Sequence, residues 1–152
     1  MRKILVLALP LGLFLGLAAA SAQPRQIIIL RHGEKTDGPD LCSTGFLRAK
    51  ALAETYLGKD AQKSLFGADQ PAAFYAITGH TKETIEPSAK SWGQNFRLPS
   101  TDKTKFLDKE TLENQQTQDA AKDVLTSPSF GGKIVVMTWE HKHIANKGLE
   151  EK

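Results

Sequence analysis

The chain has 152 residues, which is enough for one domain with its own hydrophobic core. Its 20 Lys and Arg residues nearly balance 17 Asp and Glu residues, and no basic cluster with interleaved aromatic side chains occurs. This pattern argues against a nucleic-acid partner. The single cysteine, Cys42, excludes an internal disulfide.

The first 22 residues have the pattern of a secretory signal peptide. A short basic start (1–3) precedes an apolar run (4–17), and the small residues at 20–22 form a signal-peptidase site with cleavage expected after Ala22. The alternative is an uncleaved membrane anchor, for which the apolar run is short. We therefore predict a periplasmic or secreted domain (23–152) with no stable membrane association after cleavage.

Short apolar runs in the remaining chain predict buried strands. They are rich in β-branched and aromatic side chains, as strands of a parallel sheet are, and they cover residues 26–30, 72–77 and 134–137. Helical patterns lie between them. The predicted helices run from Ser43 or Thr44 to Leu57, from Thr81 or Thr84 to Gly93, and from Leu112 or Asn114 to Leu125.

The second helix contains Pro87, which we expect in its first turn, and residues 94–111 are expected to form a polar loop. Strands that alternate with helices in this way are typical of an α/β fold, in which a mostly parallel sheet is covered by helices.

Each predicted strand runs into a polar cluster that contains a histidine. His32 follows the first strand, His80 the second and His141 the third. Because ligands of open parallel sheets bind at the carboxyl ends of the strands, we expect these histidines to converge with Arg31 and Lys82. Such a cationic pocket suits a phosphate group, since guanidinium and imidazole groups donate hydrogen bonds to its oxygens.

The residues around these histidines resemble a known family. Arg-His-Gly-Glu at 31–34, the Leu-x-x-x-Gly helix start at 41–45, the segment 74–84 with its threonine at Thr84, and Trp-Glu-His at 139–141 occur in the expected order. This set is similar to the histidine phosphatase (phosphoglycerate mutase-like) superfamily. The resemblance implies a three-layer sandwich, phosphoglycerate mutase-like, whose mostly parallel central sheet is covered by helices.

The resemblance also implies roles for individual residues. His32 would attack phosphorus and carry the phosphoryl group, Arg31 would hold its oxygens, and His141 would stabilise its charge. Glu140, beside His141, is the first choice for the general acid that protonates the leaving oxygen. The other candidates for that acid are Glu83, Glu110 and Glu113. The chemistry of the family needs neither a metal nor a cofactor.

One position departs from the family pattern. His80 stands where the family usually has a second phosphate-binding arginine, four residues before Thr84. Lys82 is a further candidate for donating hydrogen bonds to the bound phosphate, and so is Arg48 in the first helix. Because a histidine is only partly charged near neutral pH, we expect weak activity or a preference for mildly acidic conditions.

The sequence therefore predicts an exported phosphatase that hydrolyses small phosphomonoesters through a phosphohistidine on His32. A degenerate relative that binds phosphate without turnover is the alternative, and a metal site formed by His32, His80 and His141 is a third class. The chain ends 11 residues after His141, earlier than the family pattern, which fits either a minimal or a C-terminally shortened domain. The substrate and the oligomeric state stay open.

Overall fold

A computed structural model describes residues 23–144. The predicted signal peptide, residues 1–22, lies outside the described residues, as does the part of the predicted domain after residue 144. Within 23–144 the chain forms the strands β1 (Gln26–Arg31), β2 (Ala73–Tyr75) and β3 (Ile134–Trp139) and the helices α1 (Ser43–Leu52), α2 (Gly79–Ser91) and α3 (Lys109–Thr126). No helix in this part of the chain is long and apolar enough to cross a membrane.

The strands form one parallel sheet, so the predicted α/β class is confirmed. β3 lies in the centre, with β1 on one side and β2 on the other, and both neighbours run parallel to it. All residues of β3 are buried, which explains why its sequence is apolar without alternation. Since the strands are parallel, the chain leaves all of them at the same edge of the sheet.

Helices pack on both faces of the sheet. One apolar cluster joins a sheet face to α3, and its buried members are Ala73, Tyr75, Ile77, Ala120, Val124, Phe130, Val135, Met137 and Trp139. The opposite cluster joins the other face to α2 and to the π-helical turn Ala53–Leu57 that continues α1. Its buried members are Leu57, Phe66, Phe74, Ala76, Ile85, Ala89, Ile134 and Val136. Alternate residues of β3 thus point to opposite faces.

Two helices begin earlier than the periodicity predicts because polar side chains cap them. Thr78 and Thr81 form a reciprocal capping box at the start of α2, which places Pro87 in the helix interior. The expectation that Pro87 lies in the first turn is therefore wrong. At α3 the Asp108 side chain accepts the Thr111 N–H at 2.8 Å, so the helix begins inside the predicted 94–111 loop.

The loop after β1 passes unusually close to α1. A Cβ atom on Gly45 would lie 2.0 Å from the Glu34 carbonyl oxygen, and one on Gly33 would lie 3.0 Å from the Gly45 carbonyl oxygen. Only glycine leaves room for this approach, which fixes the backbone next to His32.

We expect Gly45→Ala to destabilise the protein despite the better helix propensity of alanine. The new methyl group meets backbone atoms of Glu34 that cannot rotate away, and overpacking of this kind costs about 1–3 kcal/mol. Urea unfolding would measure the loss. Gly38→Ala is the matched control, because its Cβ would make only an ordinary contact of 3.5 Å. Equal unfolding midpoints for the two variants would contradict the prediction.

At the end of β2 a buried tyrosine is bonded to a carboxylate. The Tyr75 hydroxyl donates a hydrogen bond to Asp123 on α3. Burial raises the pKa of Tyr75 to about 12, and the hydrogen bond to Asp123 and its negative charge act in the same direction, while Arg97 opposes them. The neutral phenol is thus part of the folded state.

The protein should therefore lose stability at alkaline pH, in part because the Tyr75 phenol ionises. A phenol in the unfolded chain has a pKa of about 10. The stability that Tyr75 contributes is complete below that pH and is lost as the pH rises to the folded-state pKa of about 12. The loss in unfolding free energy is on the order of 2 to 3 kcal/mol.

Urea unfolding on both sides of this pH range measures the effect. Tyr75→Phe should show a flatter loss of stability with pH, whereas Tyr56→Phe, at an exposed tyrosine, should behave as the wild type does. Parallel pH dependences for wild type and Tyr75→Phe would refute the role of this phenol.

Candidate active site

The polar segments that follow the strands meet at one edge of the sheet. His32 follows β1, Glu140 and His141 follow β3, and His80 lies in the first turn of α2, after β2. The ring centroids of His32 and His80 are 4.4 Å apart, and those of His32 and His141 are 5.9 Å apart. The predicted convergence of these histidines is confirmed.

The backbone carbonyl of the next residue, Gly33, holds His32 in one tautomer. Its Nδ1 lies 2.6 Å from the Gly33 carbonyl oxygen, which accepts, so Nδ1 carries the proton. Its Nε2 is buried and has no hydrogen-bond partner among residues 23–144. Burial lowers the pKa of His32, and the bond to Gly33 and the Glu140 charge only partly oppose this shift. The ring is therefore neutral at pH 7, with an unshared electron pair on Nε2.

Glu140 touches the segments that follow the other two strands. Its Oε1 accepts a hydrogen bond of 2.7 Å from the Thr78 hydroxyl and another from His80 Nε2. Its Oε2 lies 3.6 Å from His32 Nε2. Burial raises the pKa of Glu140, but the Thr78 hydrogen bond and the electrostatic influence of His80 and then of His32 outweigh it and lower the pKa overall. The carboxylate is therefore an anion at neutral pH.

His80 is a bridge between backbone and carboxylate. Its Nδ1 lies 3.3 Å from the Pro39 carbonyl oxygen, and its Nε2 bonds to Glu140. Thr84, one turn further along α2, accepts the Gly33 N–H at 2.8 Å and donates to the His80 carbonyl at 2.7 Å. Both ring nitrogens of His80 thus contact protein groups. One contacts the Pro39 carbonyl oxygen, and the other bonds to the Glu140 carboxylate.

The other predicted phosphate-binding residues have different surroundings. Arg31 is exposed at the end of β1, close enough for its charge to lower the pKa of His32. The Lys82 ammonium lies 5.9 Å from the centroid of the Phe96 ring. Arg48 forms an ion pair of 2.9 Å with Glu34 at the surface. Of these cations, Arg31 is the one whose charge acts on His32.

The alternative general acids also have other partners. Glu83 accepts the Leu41 N–H at 2.6 Å, and Glu113 pairs with His143 at 3.2 Å and with Lys109 at 3.4 Å. Glu110 lies exposed in the first turn of α3. Glu140 is thus the candidate carboxylate that faces His32.

Thr78 and a group of lysines were not singled out by the sequence analysis. Thr78 both caps α2 and orients Glu140, and the Thr-x-x-Thr spacing at 78–81 is the signal that predicts such a cap. Next to His80, a cavity of about 540 Å³ is lined by Lys35, Lys103 and Lys109 together with Asp37 and Glu113. Lysines from separate segments of the chain carry no sequence signal that would group them.

The tautomer of His32 can be measured directly. Heteronuclear NMR of the imidazole nitrogens should show a protonated Nδ1 and an unprotonated Nε2, with a pKa below the ordinary histidine value. Glu140→Gln should lower this pKa further, because the negative charge that stabilises the imidazolium is lost. Glu113→Gln, whose carboxylate pairs with His143, is the matched control. A proton on Nε2 in the neutral ring would contradict this assignment.

Comparisons with protein-family models, with curated proteins and with solved structures find no match to this chain. Membership of the histidine phosphatase superfamily therefore stays a prediction from the sequence. What supports a function for this protein is the geometry around His32.

Proposed function

We propose that this protein is an exported, metal-independent phosphatase that hydrolyses small phosphomonoesters through a phosphohistidine on His32. The proposal includes its membership of the histidine phosphatase superfamily, with the sheet and helices as the core of a phosphoglycerate mutase-like sandwich. The observation that carries it is the His32 ring, with Nδ1 bonded to Gly33 and Nε2 without a hydrogen-bond partner within residues 23–144. Export rests on the sequence pattern of residues 1–22.

The reaction proceeds in two displacements at phosphorus. The Nε2 electron pair of His32 attacks, and the bond from phosphorus to the ester oxygen breaks as Glu140 gives its carboxyl proton to the departing alcohol. A water molecule then attacks the phosphorus and returns a proton to Glu140, while the bond from phosphorus to Nε2 breaks. Inorganic phosphate leaves, and both side chains return to their starting forms.

The neighbouring groups stabilise the charges of these steps. The Gly33 carbonyl accepts from Nδ1 and so stabilises the positive phosphorylated ring. Arg31 and His141 supply donors for the phosphoryl oxygens, and the lysines of the cavity beside His80 favour an anionic substrate. Glu140 must be protonated for the first step, and because its pKa is lowered, this form is populated only at a more acidic pH than for an ordinary glutamate.

The charge of Glu140 favours the second candidate, a degenerate relative that binds phosphate weakly and does not turn over. An anionic carboxylate 3.6 Å from His32 Nε2 repels a phosphate dianion at that position. His80, in place of an arginine, is already bonded to Pro39 and Glu140. Formation of the phosphohistidine separates the two candidates, because binding alone leaves His32 unmodified.

An aryl phosphate radiolabelled in its phosphoryl group should leave label on His32 when it is mixed with the protein over a series of increasingly acidic pH values and quenched under alkaline conditions that preserve phosphohistidine. His32→Ala should abolish both the label and the turnover. His143→Gln, which changes a histidine bonded to Glu113, should retain both. The experiment is repeated with a chelator, and the wild-type protein should retain both the label and the turnover.

Folded protein that releases no alcohol and carries no label would refute the phosphatase and favour the degenerate relative. Activity that disappears with the chelator would refute the metal-independent mechanism.

A further inference from the structure

His32, Glu140 and His141 also form a set of metal-ligand atoms. One nitrogen or oxygen from each lies within 4.8 Å of the others, and His32 Nε2 is 3.6 Å from Glu140 Oε2. Tetrahedral zinc with bonds of about 2.0–2.1 Å places its ligand atoms about 3.3 Å apart. The pair from His32 and Glu140 is therefore already close to the spacing of two zinc ligands, and the exposed His141 can adjust to complete the set.

The other ring nitrogen of His32 and the other carboxylate oxygen of Glu140 form hydrogen bonds of the kind that orient metal ligands. A ligating histidine usually donates its other N–H to a carbonyl or carboxylate, as His32 Nδ1 does to Gly33. A ligating carboxylate is usually held by hydrogen bonds on its other oxygen, as Glu140 Oε1 is by Thr78 and His80. Consequently His32 Nε2 and Glu140 Oε2 remain available, and the former is buried without a partner within residues 23–144.

The donor types select the class of ion. Two imidazoles and a carboxylate suit zinc and similar transition metals, whereas Mg²⁺ prefers oxygen ligands alone. The positive charge of Arg31 opposes a cation, and the negative charge of the Glu140 carboxylate offsets it. The set also differs from the His32, His80 and His141 site considered from the sequence, because His80 Nε2 is bonded to Glu140.

We propose that Zn²⁺ binds to His32 Nε2, Glu140 Oε2 and His141, and that it thereby inhibits phosphoryl transfer. A metal ion on Nε2 occupies the electron pair that attacks phosphorus, and it removes Glu140 from acid catalysis. Zinc and phosphomonoester then compete for the same atoms. The inhibitory part rests on the proposed function, whereas the binding part depends only on the geometry.

Zinc binding by the purified metal-free protein is measured by competition with a chromogenic chelator and by calorimetry. We expect one zinc ion per chain, with affinity reduced about tenfold or more in His141→Ala and in Glu140→Gln. His143→Gln, at a histidine outside the set, should bind as the wild type does. Mg²⁺ should not compete. Undiminished zinc binding in both ligand variants, or no binding to the wild type, would overturn the site.

The turnover of an aryl phosphate with increasing zinc tests the inhibitory part. Inhibition should be competitive and should be reversed by a chelator, and phosphohistidine labelling should fall in parallel. Unchanged turnover with zinc bound would overturn the inhibition. Zinc-free protein without turnover would refute the phosphatase, and therefore the inhibition, while the binding data would still decide whether the metal site exists.

Discussion

The carboxylate of Glu140 connects the ends of the three strands, and the site depends on it. Glu140 follows β3, bonds to Thr78 and His80 after β2, and faces His32 after β1. A carboxylate buried at this depth is costly unless its oxygens are paired, and removing one partner of a buried ion pair costs about 3–5 kcal/mol. The same contacts that satisfy the charge therefore fix the position of the segments around it.

A second set of hydrogen bonds fixes the position of His32, the proposed nucleophile. Thr84 links the Gly33 N–H to the His80 carbonyl, and Gly33 in turn accepts from His32. The loop that carries Gly33 lies against Gly45 of α1 at a distance that excludes any larger residue there. Contacts with α1 and α2 thus hold Gly33, whose carbonyl oxygen accepts from His32 Nδ1, and this links the packing of the helices to the site.

The charge of Glu140 brings the two proposals into competition. In its acid form the carboxyl group can donate a proton to a leaving alcohol, and a phosphate group can approach Nε2. In its anionic form it repels phosphate and attracts a cation to the same place. If both proposals hold, the protonation state of Glu140 determines whether His32 Nε2 meets a phosphoryl group or a metal ion, since both need the same electron pair.

Sequence alone determined the class of fold and which three histidines meet, although it also placed Lys82 with them, and Lys82 lies against Phe96 instead. Apolar runs and their spacing are short-range properties, so they predict parallel strands, and parallel strands bring His32, His80 and His141 to one edge. Helix starts at α2 and α3 were less predictable, because capping by Thr78 and Asp108 extends helices beyond their apolar periodicity.

Only the tertiary structure decided which groups these side chains contact. The bond from His80 to Glu140, the position of Lys82 over Phe96 and the pairing of Arg48 with Glu34 all join residues that are distant in sequence or that lie on separate elements. Side-chain direction depends on the packing of neighbouring elements and on the pairing of buried charges, and no local pattern encodes either. The sequence therefore specified the three histidines and Glu140, and the fold specified their partners.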